Sequence, residues 1–159
     1  MGPHKNLIVW KKSMELAKMV YSITSTYPPS ETFGLVSQMR RCVISIPSNI
    51  AEGYGRESDK DLVRFLRTAL GSSNELDTQL ILSFQFGYLL DIHYQEALNL
   101  NEEINKMLKS LIFVFNRAFQ PILAVQIHHN AALIEPVLAL KFRLDGEGKE
   151  FLVRFHLEH

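Results

Sequence analysis

The chain has 159 residues, enough for one domain with a substantial core and too few to promise two. Lys plus Arg equals Asp plus Glu at 17 each, so net charge gives no push toward nucleic acid or membrane, and any basic surface must be local. One cysteine, Cys42, excludes an intramolecular disulfide and a cysteine-based zinc cluster, while a hydrophobic content of 47% is ordinary for a globular domain.

Four helical segments are predicted between residue 8 and about residue 118. Trp10, Met14, Ala17 and Tyr21 announce the first, and Leu16, Val20 and Ile23 broaden its stripe. It must stop before Pro28-Pro29, because proline disfavours helical geometry in the residue ahead of it. Ser30 offers an N-cap for the second helix. Leu35, Met39, Cys42, Ile46 and Ile50 then line one face at steps of four, three, four and four. Pro47 interrupts that face, removing a backbone donor and crowding the carbonyl of Val43. Ser45, Ser48, Asn49 and Glu52 gather around the proline, ready to satisfy the carbonyl it frees. Gly53 and Gly55 are suited to the left-handed geometry that closes a helix.

Ser58 begins the third helix, with Asp59 and Asp61 in the first turn where the dipole favours negative charge. Its seam runs Leu62, Leu66, Ala69, Ser73, Leu76 and Leu80, and Gly71-Ser72-Ser73 places small residues where another backbone could approach. Asp91 is placed as the cap of a fourth helix striped by Ala97, Leu100, Ile104, Met107, Leu108, Leu111 and Phe115. Short connections between long helices make consecutive ones antiparallel neighbours. The expected fold over residues 5–118 is all-α, an antiparallel up-down-up-down four-helix bundle.

Residues 119–155 differ in character. Leu138, Leu140, Phe142 and Leu144 alternate with polar residues, a loop holding Gly146 and Gly148 follows, and Phe151, Val153 and Phe155 alternate again. That is a β-hairpin signal in a C-terminal extension. An isolated hairpin is marginal in water, so it must cover the bundle or a partner subunit, or else remain a poorly ordered appendage. Residues 156–159 read as the remnant of a purification tag. The N-terminus reaches Lys5, Lys11 and Lys12 without the apolar run of an export signal, and no stretch approaches the ~18 apolar residues of a membrane span. With the lone cysteine, this points to a cytoplasmic protein without membrane contact.

Four stretches occur in order: Leu7-Ile8-Val9-Trp10, Phe33-Gly34-Leu35-Val36-Ser37-Gln38-Met39-Arg40-Arg41, Ser45-Ile46-Pro47-Ser48-Asn49-Ile50-Ala51-Glu52-Gly53, and Phe65-Leu66-Arg67-Thr68-Ala69-Leu70-Gly71-Ser72. Through them the chain resembles, over residues 5 to about 117, the four-helix bundle family encoded in intervening sequences of 23S ribosomal RNA genes. The accessory protein of diversity-generating retroelements is a relative of that family. The resemblance implies a homopentamer built around a central channel, and no enzymatic activity. From the retroelement relative it also implies possible partners: RNA or DNA, and a reverse transcriptase.

Six basic residues, Arg40, Arg41, Arg56, Lys60, Arg64 and Arg67, are expected in one region, with Lys60, Arg64 and Arg67 sharing a face of the third helix. Such a face can meet successive phosphates, and repetition by symmetry would strengthen its field. The alternative is a solvated face of local ion pairs, Asp61 with Arg64 or Glu57 with Lys60. Ser45, Asn49, Glu52, Ser72 and Glu75 are expected to form a polar network that fixes helix register. A ferritin-like metal site would need Glu-x-x-His motifs, and no glutamate here satisfies one. Neither a phosphate loop nor a nucleophile elbow is present. Helical-bundle ribonucleases carry an Arg four to six residues before a His, a spacing met only by Arg154 and His159. No catalytic residue, metal or cofactor is expected. Trp10 is placed either at an oligomer interface or against the end of its own bundle. Two functions follow: a non-catalytic oligomer that binds nucleic acid, structured RNA foremost, or a scaffold that docks a polymerase or another protein.

Overall fold

A computed structural model describes residues 3–117. The expected hairpin at 119–155, the tag remnant at 156–159 and Arg154 with His159 lie outside the described residues. Four helices carry the described chain: α1 (Ile8–Thr24), α2 (Leu35–Gly53), α3 (Asp59–Gln85) and α4 (Asp91–Arg117). Short 3-10 turns at Pro3–Asn6 and Pro29–Glu31 precede α1 and α2. Among the described residues there is no strand, and no helix is long and apolar enough to cross a membrane.

Each helix packs on its neighbours in sequence, and α1 closes the square against α4. This is the up-down-up-down four-helix bundle that the apolar periodicities predict. Leu16 and Val20 of α1 meet Met39, Val43, Ile46 and Ile50 of α2, Leu66, Leu76 and Leu80 of α3, and Ile104 and Leu108 of α4 in one fully buried core. Lys12 bridges to Glu103 at 2.9 Å and ties α1 to α4 at the rim.

Four local readings need correction. The buried face of α1 is Val9, Ser13, Leu16, Val20 and Ile23, whereas Met14 and Tyr21 are exposed and Trp10 and Ala17 half-buried. Ser13 tolerates burial because its hydroxyl donates to the Trp10 carbonyl at 2.7 Å. Ser30 does not cap α2. It belongs to a separate 3-10 turn, and the Glu31 carboxylate accepts from Leu35 N at 3.0 Å instead. Gly53 is required for closeness rather than handedness, since an added Cβ would stand 3.0 Å from both Leu62 Cδ1 and Phe65 Cβ. Among the described residues the left-handed glycine is Gly87, at φ 74°, in the turn between α3 and α4. Gly71 faces open space, and Ser73, not the Gly-Ser pair before it, makes the close approach to α4.

Candidate nucleic-acid interface

The register of α2 on α3 decides where the basic residues stand. Ser83 reaches Met39 at 3.4 Å, Gln79 reaches Cys42 at 3.5 Å and Ser72 reaches Ser45 at 2.8 Å, while Gly53 packs on Leu62 and Phe65. Arg40 and Arg41 are therefore level with the end of α3, whereas Arg64 and Arg67 are level with the end of α2. From Arg41 to the end of α2 is about 18 Å of helix rise. The six cations form two groups, not the single region expected from their proximity in sequence.

The larger group occupies the corner between α2 and α3. Gly53 admits Phe65 against the end of α2, and the half-buried ring then serves as a platform for two guanidinium groups. Arg56 Cζ lies 5.0 Å and Arg64 Cζ 4.9 Å from its centroid. Arg56 also pairs with Glu52 one turn back on α2, and Arg64 stands 3.5 Å from Asp61. Both pairs are exposed and contribute little to stability. Lys60 and Arg67 are exposed and make no ion pair among the described residues, and the expected contact of Glu57 with Lys60 does not form. The corner thus presents two guanidiniums over one ring beside two exposed cations, with Asp59 and Asp61 at its edge.

The smaller group is built differently. Arg40 donates from Nε to Thr24 Oγ1 at 2.9 Å and lies 4.7 Å from the Tyr21 centroid. Arg41, beside it, is exposed and without an ion pair among the described residues.

The polar residues around Pro47 divide as well. Asn49 Nδ2 donates to the Ser45 carbonyl at 2.7 Å and to Ser45 Oγ at 2.9 Å, and Ser72 Oγ completes a link across to α3. The carbonyl served is that of Ser45 rather than Val43. Glu52 is drawn away to Arg56 and is exposed. Glu75 accepts from Gln79 Nε2 at 3.2 Å, and the same amide contacts Cys42 Sγ. Burial, reinforced by Glu75, pushes the Cys42 thiol up to about 11, so it is protonated at neutral pH. Between α3 and α4 lies a pairing not anticipated: Ser73 Oγ donates to Asn101 Oδ1 at 2.9 Å, and Asn101 Nδ2 returns to the Ser73 carbonyl at 3.0 Å, both residues fully buried. Its trace in the sequence is a polar residue in the series Ala97, Asn101, Ile104, Leu108. Trp10 packs partly against the core, edge-on to His4 at 5.4 Å. Among the described residues no group of three or more His, Cys, Asp or Glu could hold a metal ion.

Residues 5–110, covering α1 to most of α4, match the family described as 23S rRNA-intervening sequence protein. The chain belongs to that family. The chain is also similar to a solved structure from Bacteroides thetaiotaomicron, a protein with unknown function from the S23 ribosomal protein family. The two are 30% identical with a TM-score of 0.62, over 66% of this chain and 98% of the other. No curated protein matches the chain.

Proposed function

We propose that this 23S rRNA-intervening sequence protein is a non-catalytic cytoplasmic homo-oligomer, a pentamer by family resemblance, that binds nucleic acid, structured RNA foremost. The observation that carries the reading is the α2–α3 corner. Lys60, Arg64 and Arg67 share one exposed face of α3, and Phe65 holds the Arg56 and Arg64 guanidiniums in place beside it. A stacked guanidinium keeps its N–H edge for a phosphate and loses little further freedom on binding. Oligomer formation is supported by the outward side of α1, where Met14 is exposed and Trp10 and Ala17 are only half-buried. A ring of such corners multiplies a modest charge into a strong field.

The test is retention of a structured RNA hairpin by the intact protein across a salt series. Binding should weaken steeply as salt rises, because each phosphate contact releases counterions. Arg64→Glu with Arg67→Glu should abolish retention at moderate salt while leaving the helical content and the oligomer unchanged. Absence of binding by the intact protein, or binding indifferent to salt, would sink the reading.

A further inference from the structure

Phe33 is 93% exposed, more than any other large apolar side chain among the described residues. It is not an isolated case. Tyr21 is 41% and Ile44 45% exposed, and with Val36 these side chains line one groove of about 340 Å³ between the end of α1 and the start of α2. Scattered exposed apolar residues need no explanation, but a contiguous set in a concavity marks a binding surface.

The charge around the groove is one-sided. Arg40 and Arg41 line it, and among the described residues no acidic one does. Arg40 is fixed by the Thr24 hydroxyl and the Tyr21 ring, and Arg41 has no ion pair among the described residues. Val36 to Ile44 spans about 12 Å of α2, the rise of roughly two turns of a second helix laid alongside. We infer that this groove docks an acidic amphipathic helix of a partner protein. Its apolar stripe would sit on Phe33, Val36 and Ile44 at i, i+3 or i+4 and i+7 spacing, and Asp or Glu beside the stripe would meet Arg40 and Arg41. The apolar lining favours a protein over a nucleic acid, whose outer surface offers charge without such a stripe. The site lies apart from the α2–α3 corner and does not depend on RNA binding there.

Fluorescence anisotropy of the full chain with two synthetic helical peptides tests this. Both peptides carry one leucine stripe, flanked by glutamate in the first and by lysine in the second. The glutamate peptide should bind at least about tenfold more tightly than the lysine peptide. Phe33→Ser with Ile44→Ser should weaken it about tenfold or more, with an unchanged melting temperature confirming the fold. Arg41→Glu should reverse the preference between the peptides. Equal affinity for the two, or binding unaffected by Phe33→Ser with Ile44→Ser, would overturn the inference. So would loss of the homo-oligomer in light scattering on the same double substitution, which would make the occupant a second copy. Loss of RNA retention by that variant would overturn it in favour of nucleic acid.

Discussion

Pro47 removes the donor that would serve the Val43 carbonyl, yet α2 continues for another six residues to Gly53. The burial of Met39, Val43, Ile46 and Ile50 on one side holds the helix together, and Asn49 adds a side-chain donor just past the break. Asn49→Ala should therefore lower stability by about 1 kcal/mol in urea unfolding. Ser72→Ala should act on the same acceptor, Ser45 Oγ, so the double substitution should lose less than the sum of the two singles; strictly additive losses would show that the pair does not work through Ser45. Cys42 provides a second prediction at this scale. Its folded pKa is raised from 9.0 to about 11 by burial first and Glu75 second, against the hydrogen bond from Gln79. The folded state thus holds the thiol proton more tightly than the unfolded state. That contribution is complete below about pH 9 and is lost as pH rises toward 11. Cys42→Ala should show a shallower fall in unfolding free energy between those limits, and an unchanged slope would count against a buried thiol. Tyr27 and Tyr54, whose pKa values burial also raises, should leave some alkaline loss in both proteins.

The apolar periodicities of α2, α3 and α4 were legible because each helix has a single buried stripe that coincides with its strongest apolar series. On α1 two apolar series run side by side, Val9–Leu16–Val20–Ile23 and Trp10–Met14–Ala17–Tyr21, and the side chains alone favour the bulkier one. Burial of Ser13 goes with the other, and only the hydroxyl bond back to Trp10 makes that acceptable. The basic residues were legible as types but not as a site, because their grouping depends on the α2–α3 register, which no local pattern specifies. Asn101 illustrates the same limit: its partner Ser73 lies 28 residues away on another helix. Asn101→Ala would leave the buried Ser73 hydroxyl without its acceptor, and the α3–α4 pair should lose about 1–3 kcal/mol in chemical denaturation. A change under about 0.5 kcal/mol, the range of ordinary surface substitutions, would mean that this pair does not fix the register.

Charge is divided along the bundle although the totals nearly cancel. Residues 3–117 hold thirteen Lys and Arg against twelve Asp and Glu. Segments 19–39 and 77–99, which build the end of α1, the start of α2, the end of α3 and the start of α4, contain Glu31, Asp77, Asp91 and Glu96 and no Lys or Arg. The rest of the bundle therefore carries thirteen cations against eight anions, and the α2–α3 corner lies there. A single corner offers few phosphate contacts, so affinity for RNA should depend on several corners acting together, where the second contact is made at high effective concentration. Met14 separates assembly from contact. It is 38% exposed on the outward side of α1, a helix that contributes no residue to the corner. Met14→Glu should leave the stability of the single bundle within about 0.5 kcal/mol of the parent, reduce the molar mass in light scattering to that of one chain, and weaken RNA retention by more than about tenfold. Arg64→Glu with Arg67→Glu should instead abolish retention with the mass unchanged. If Met14→Glu keeps the parent mass, the α1 face is not the interface between copies; if it dissociates the protein but leaves RNA binding intact, each corner binds alone and symmetry contributes nothing.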